Sequence, residues 1–281
     1  MIVRFDHAVI AVPDLDTAIE VYTALGFEVA AGGRHPSIGT RNAIVRFGLD
    51  YLELLAIEDI EQARARGSFG AELAAFLEQS MGLVGFVFAS SRLEDEAEGL
   101  ADIGLAAEGP FAMERERPDG HTLSWRLVIP GSSPWRKPWP FLIEWETPDT
   151  DRLRWDPVGS HPNRVTGVSG MELLVDDVDA AATLYEKAFG LSPLGSPTKS
   201  TGLSYRIGGF ELKLCEPSEP IWTEELERRG PGPFRLQLRS PDLTATAAML
   251  GTAATDVSAD SIEIDPGWAL GARLRIVKDI K

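Results

Sequence analysis

Two short stretches of this 281-residue sequence carry side chains able to do chemistry. The first is Gly32-Gly33-Arg34-His35-Pro36-Ser37-Ile38-Gly39-Thr40-Arg41-Asn42, and the second is Tyr51-Leu52-Glu53-Leu54-Leu55. An imidazole titrates near neutrality, where a proton carrier works best, so His35 is a candidate general base. The following Pro36 biases it to an extended backbone. Thr40 and Asn42 offer a hydroxyl and an amide that could hydrogen-bond a ligand oxygen. The same two residues could instead stabilise their own turn around Gly39. Glu53 lies in an apolar run, where an unpartnered carboxylate would be costly to bury; it requires a metal, a cation or hydrogen bonds. Arg46 and Arg126 are the cations the sequence offers as alternatives to a metal.

Aromatic side chains form a second group. Trp125, Trp135, Trp139, Trp145 and Trp155 cluster in a proline-broken stretch. Trp125 and Trp145 alternate with polar residues on expected strands and are expected to wall a ligand site, whereas Trp135 and Trp139 lie in a loop. Packing across a domain interface would use the same indoles. His121 and His161 sit in glycine- and proline-rich turns and are expected to be solvated. Cys215 has no histidine near it in sequence and reads as a small apolar filler.

The elements that must position these residues repeat along the chain. Residues 3–57 read as strand, helix and three strands: the helical spacing Leu15, Ala18, Ile19, Tyr22, Leu25 stops at Gly26, and three short glycine-bounded strands follow. The βαβββ order recurs from residue 82, from about residue 168 and, less sharply, from residue 234. Asp14 aligns with Asp177 at an offset of 163 residues, the spacing of a duplicated domain. The expected organisation is therefore an α+β protein of four modules in two pairs: domain one at residues 1–150, a linker at 151–164 holding Pro157, Gly159 and Pro162, and domain two at 165–281.

Four βαβββ units in two pairs, opening with Phe5-Asp6-His7-Ala8-Val9 and Pro13-Asp14-Leu15-Asp16, resemble the vicinal oxygen chelate superfamily of glyoxalases, bleomycin-resistance proteins and extradiol dioxygenases. The H-P-x-x-G-T-x-N run before Y-L-E-L resembles its glyoxalase-like domain branch, which has no single common activity. The resemblance implies that each pair forms a curved mixed sheet closing a cup. It also implies that the first and last strands of each module supply divalent-metal ligands. On that pattern His7 and Glu53 come from the first module and Glu144 from the second, while Gly85 stands where a fourth ligand would be. Glu144 is also a candidate proton carrier. In the second domain Gly170 takes the place of His7, with only Glu172 and Glu211 nearby, so that half reads as a structural partner or a homodimer surface.

The resemblance implies a divalent-metal-assisted isomerase or lyase acting on a small oxygenated metabolite, with an enediolate-like oxyanion stabilised by the ion. A non-catalytic small-molecule binder is the alternative from another class. A metal-dependent dioxygenase, which wants two histidines and one carboxylate, is a third, and needs His35 to reach the metal. Composition narrows the partners. With 43 acidic and 27 basic residues the net charge is -16, which disfavours nucleic acid and anionic membranes. One cysteine makes no internal disulfide, and no leader or apolar stretch of about 18 residues is visible, so a cytoplasmic protein is expected.

Overall fold

The computed structural model describes residues 1–195 and 202–279. The first module is β1 (Ile2–Ala11), α1 (Leu15–Ala24), β2 (Ala30–His35), β3 (Thr40–Arg46) and β4 (Tyr51–Ile57). Two short helices follow, α2 (Ile60–Ala65) and α3 (Ser68–Gln79), and then the second module: β5 (Gly82–Ser90), α4 (Leu93–Asp102), β6 (Ala107–Glu116), β7 (Thr122–Pro130) and β8 (Phe141–Trp145). These eight strands close into a barrel in the order β1-β4-β3-β2-β6-β7-β8-β5. Each module contributes one contiguous half of the wall, and the antiparallel pairings β1–β5 and β2–β6 seal the two seams.

The chain continues through α5 (Asp149–Trp155) into β9 (Gly167–Leu174), α6 (Val178–Thr183), β10 (Leu203–Ile207), β11 (Phe210–Cys215) and α7 (Pro220–Arg229). The last module is β12 (Gly232–Ser240), α8 (Leu243–Leu250), β13 (Ala254–Thr255), β14 (Ser261–Ile264) and β15 (Leu274–Lys278). These strands form a seven-stranded sheet, β10-β11-β9-β12-β15-β14-β13, that stays open where the first pair closes. The third module has three described strands against four in the others.

The repeat is visible in local chemistry. Asp14 and Asp177 cap α1 and α6 by accepting from the backbone N–H of Thr17 at 2.7 Å and of Ala180 at 2.9 Å, because the first turn of a helix leaves its N–H groups without partners. Gly26, where α1 ends, has φ of 80°, which a side chain would strain.

Side-chain alternation divides the barrel strands between two cores. Val9, Leu55, Val87, Trp125, Leu127, Phe141 and Ile143 point into the barrel. Ala8, Ile10, Leu52, Leu54, Phe86, Phe88 and Leu142 point outward into a larger core that also holds Met171, Leu173, Phe210, Leu236 and Ile276 of the second sheet. Covered on both faces, these strands read as nearly continuous apolar runs. Phe5 stacks on Phe210 at 4.4 Å between centroids. Arg136 reaches from the loop before β8 to the carbonyls of Leu83, Gly230 and Pro233. The two sheets thus share one outer core.

That sharing predicts joint unfolding. In a urea titration, tryptophan fluorescence and far-ultraviolet circular dichroism should trace one coincident transition. Phe210→Ala should lower stability by about 3–5 kcal/mol while keeping the two transitions coincident. Separate transitions for the barrel and the second sheet would contradict the shared core.

Candidate functional site

The barrel interior holds a cavity lined on one side by His7, His35, Asn42, Tyr51 and Glu53 and on the other by Met113, Arg115, Trp125, Trp135, Phe141 and Trp145. The first set comes from the first module and the second from the second module and its loops. Strand register explains the convergence. His7 pairs with Tyr51 and Val9 with Glu53 across β1 and β4, so His7 and Glu53 share the inner face. Asn42, on β3, donates from Nδ2 to Glu53 Oε1 at 2.6 Å.

His35 ends β2 and pairs with Thr40 across the hairpin. The turn between them is closed by the N–H groups of Ile38 and Gly39, both donating to the His35 carbonyl. Gly39 has φ of 65°, and a Cβ there would lie 2.7 Å from the Asp59 carbonyl oxygen. Only glycine brings the hairpin this close to the start of α2. The turn delivers the His35 ring into the barrel, edge-on to Trp125 at 6.0 Å.

Each imidazole is held from behind. His7 Nδ1 lies 2.8 Å from Asp6 Oδ1, and His35 Nδ1 lies 2.9 Å from Thr40 Oγ1. Asp6 is fully buried. Burial alone would raise its pKa, but the hydrogen bond with His7 and the charges of Arg152 and Arg4 outweigh it and hold the carboxyl well below its ordinary value. An ionised carboxylate only accepts, so His7 Nδ1 donates to Asp6. His7 Nε2 then faces the cavity 3.6 Å from Glu53 Oε2, and His35 Nε2 stands 3.9 Å from Glu53 Oε1. Burial pushes His35 down to about 4; Glu53 opposes that shift, and Arg115 and His7 reinforce it. At neutral pH the His35 ring is therefore uncharged.

Two neutral-capable imidazoles and a carboxylate are the donor chemistry of a divalent-metal site, and a carboxylate behind a histidine is its usual outer support. Ligands at about 2.0–2.2 Å from an ion lie roughly 3.3–3.6 Å apart in a tetrahedral site and about 3 Å apart when cis in an octahedral one. The 3.6 Å His7–Glu53 gap reaches the tetrahedral range and the 3.9 Å His35–Glu53 gap exceeds it, and among the described residues no group of three or more His, Cys, Asp or Glu is gathered tightly enough to hold an ion. The donor types fit; each His–Glu53 gap would have to close by no more than about 1 Å.

Several expected site residues are placed differently. Glu144 does not reach the cavity: it sits on the outer face of β8, paired with Arg126, which also holds Glu94 at 2.5 Å. Its neighbour Trp145 points inward, and period-two alternation sends Glu144 outward. Thr40 supports His35 and does not line the cavity, whereas Asn42 lines it, with its Nδ2 given to Glu53 and its Oδ1 buried without a partner. Neither arginine expected to neutralise Glu53 does so. Arg126 is outside the barrel, and Arg46 lies over the Tyr51 ring at 4.7 Å. Trp125 and Trp145 do wall the cavity, with centroids 5.1 Å apart. His161 is buried, accepting from Glu28 N–H and donating to the Arg46 carbonyl, each at 3.0 Å, whereas His121 is exposed and stacks on Trp155.

Other lining residues carried little signal in the sequence. Arg115, 2% exposed, comes from β6 and is paired with Asp156 from just beyond α5. Its Nε is buried without a partner. Trp135 covers Gly85, where a Cβ would lie 3.2 Å from the indole, so an aromatic ring fills the place of the absent fourth ligand. The indole is fixed by Nε1 donating to the Phe69 carbonyl at 2.7 Å. Below the cavity, α5 holds Arg152, wholly buried and 3.7 Å from the Trp145 ring centroid. In the second sheet Glu172 is bound by Arg235 at 3.0 Å, and Glu211 faces Arg206. Cys215 is buried, which pushes its thiol up to about 12, far from the reactive thiolate range.

A closed barrel of two βαβββ modules with its polar groups gathered inside is the architecture of the vicinal oxygen chelate superfamily. The chain belongs to the glyoxalase-like domain family, whose model matches residues 5–189. No curated protein matches the chain. Among solved structures, a hypothetical protein from Staphylococcus aureus aligns with a TM-score of 0.73 at 14% identity, over 98% of this chain and 99% of that one. A mutant of 4-hydroxymandelate synthase from Streptomyces coelicolor aligns with a TM-score of 0.64 at 15% identity, over 99% and 93% of the two chains. A xylose isomerase-like TIM barrel/4-hydroxyphenylpyruvate dioxygenase fusion protein aligns with a TM-score of 0.58 at 14% identity; 99% of this chain spans 49% of that fusion. Identities this low carry the fold alone. No helix among the described residues is long and apolar enough to cross a membrane.

The Asp6 cluster makes a pH-dependent prediction. Because its folded-state pKa is depressed from 3.8, Asp6 stabilises the fold above that value, and the contribution fades as pH falls below about 5. Asp6→Asn should lower stability at pH 7 by up to about 3–5 kcal/mol, because buried Arg152 then keeps only the half-exposed Asp149 as a counter-charge. The gap between wild type and variant in urea should shrink as pH falls from 5 towards 2. A gap that stays constant over that range would contradict this reading.

Proposed function

We propose that the barrel cavity is the site of a divalent-metal-assisted enzyme acting on a small oxygenated metabolite, with His7, His35 and Glu53 as the protein ligands. The observation that carries the reading is the convergence of two Nε2 atoms on one carboxylate while both Nδ1 atoms are engaged behind them. A bound ion would polarise substrate oxygens and leave positions open to them. Asp6 keeps His7 in the tautomer that presents a lone pair. Asn42 fixes the rotation of Glu53, and the indoles of Trp125, Trp135 and Trp145 exclude water and give a flat ligand a stacking surface.

The geometry moves support among the reaction classes. An isomerase or lyase needs a proton carrier separate from the ligands. Glu144 lies outside the barrel, and His35, depressed to about 4, is a weak base drawn into the ligand set. A two-histidine, one-carboxylate set with open positions is instead that of non-haem iron oxygenases. An oxygenase is therefore the favoured class. Two of the structurally similar proteins are named as a 4-hydroxymandelate synthase and a fusion containing a 4-hydroxyphenylpyruvate dioxygenase, which accords with it. A non-catalytic binder is favoured by one observation, the spacing of the three donors.

Cobalt(II) titration followed by visible absorption separates these readings. Wild type should bind one equivalent. His7→Ala, His35→Ala and Glu53→Ala should each lose most of the affinity. Asp6→Asn should lose about 10- to 100-fold, and Glu144→Gln and Glu172→Ala should change it little. Absence of a cobalt band, or equal losses at Glu53 and Glu172, would leave the binder. Iron(II)-loaded protein should then consume oxygen in a screen of small oxygenated acids, and turnover without oxygen uptake would restore the isomerase or lyase.

A further inference from the structure

The inner cavity measures about 60 Å³, room for a few water molecules and far below the roughly 300–1,000 Å³ of small-molecule sites. It does not end there. Ile38, Phe69, Met113 and Leu127 line both this chamber and a second of about 390 Å³. The outer chamber lies between the α2–α3 junction and the outer ends of β6 and β7. Its walls include Phe111 and Ile129, and Arg66, Ser68, Glu108 and Ser132 stand around it. The polar groups therefore lie at the two ends, with the shared apolar side chains between them. At the inner end Arg115 is a buried cation with an unpartnered Nε, beside a carboxylate and two histidines.

Resting on the reading that the inner cavity is the reactive site, we propose that the substrate is amphiphilic. Its head is a small anionic, oxygen-bearing group placed in the inner chamber beside Arg115. Its body is an aryl or branched alkyl group that passes between Phe69 and Met113 into the outer chamber. A molecule reduced to its head would bury too little apolar surface to bind well. A body without a head would leave the buried Nε of Arg115 without a partner, its Nη2 already being held by Asp156.

The test uses the full chain and a probe series, phenylacetate, 4-phenylbutanoate and 6-phenylhexanoate, with the carboxamide of each, by titration calorimetry and tryptophan quenching. Affinity should rise at least tenfold from phenylacetate to 6-phenylhexanoate, since a buried methylene contributes up to about fourfold. Each carboxamide should bind at least fivefold more weakly than its acid. Ile129→Trp, which fills the outer chamber, and Ser132→Trp, at an exposed loop position on its rim, should remove most of the length dependence. Both should leave phenylacetate and cobalt(II) binding unchanged. If Ile129→Trp unfolds, Ser132→Trp decides.

Failure of every probe to bind, affinity independent of length, length dependence that persists in both folded variants, or equal binding of acids and amides would overturn the proposal. Cobalt(II) binding without length dependence would sink it and spare the metal reading. Length dependence without cobalt(II) binding would do the reverse.

Discussion

Asp6 accepts from His7 on its own strand, from Trp145 Nε1 at 2.9 Å on β8, and from Arg4 at 2.6 Å, with Arg152 of α5 standing 3.6 Å away. Three elements, β1, β8 and α5, are tied through one carboxylate that water does not reach. Such a cluster is stable only when every charge is answered. The consequence runs outward in steps: Asp6 orients His7, Trp145 is pinned as a wall by the same group, and Arg152 brings α5 against the Trp145 ring. The segment after β8, which composition marks as a linker, is in fact seated against the barrel through Arg152, Asp156 and His161.

The duplication supplies parts of unequal function. The first module brings the polar donors, the second brings aromatic and apolar wall, and the second sheet brings neither; its carboxylates are neutralised by arginines and its strands bury the outside of the barrel. Module pairs can specialise in this way because the outer core needs only apolar shape, which many sequences satisfy, while the cavity needs particular groups at particular registers.

Much of the architecture was legible because its signals are local. The glycine stops of the helices, the caps Asp14 and Asp177, and β4 at Tyr51–Ile57 are written in consecutive residues. The site was legible where it lies on one hairpin and the strands beside it, so His7, His35, Asn42 and Glu53 were all recoverable. Glu144 failed for a reason also present in the sequence: it cannot share an inner face with Trp145, its immediate neighbour. Arg115 shares the inner face of β6 with Phe111 and Met113 by plain alternation, but β6 is largely exposed and an arginine between Glu114 and Glu116 reads as part of a solvated charged stretch. Residues 60–79 are rich in helix formers, yet nothing local says that α3 will hang Phe69 over the barrel mouth. Long-range placement of that kind depends on packing partners far away in the chain.

The indole of Trp135 over Gly85 has a stereochemical consequence. The two-module plan of this fold is pseudo-symmetric, and side chains from both halves could meet a ligand from opposite sides. Here one side presents two imidazoles and a carboxylate, and the other presents three indoles, a phenyl ring and a single guanidinium. A planar molecule lying between them has one face turned towards the imidazoles and the carboxylate, and the other against an aromatic surface broken only by the Arg115 guanidinium. Its two faces are no longer equivalent, so a reaction in this cup would deliver one enantiomer at a new stereocentre, without any further residue to select it.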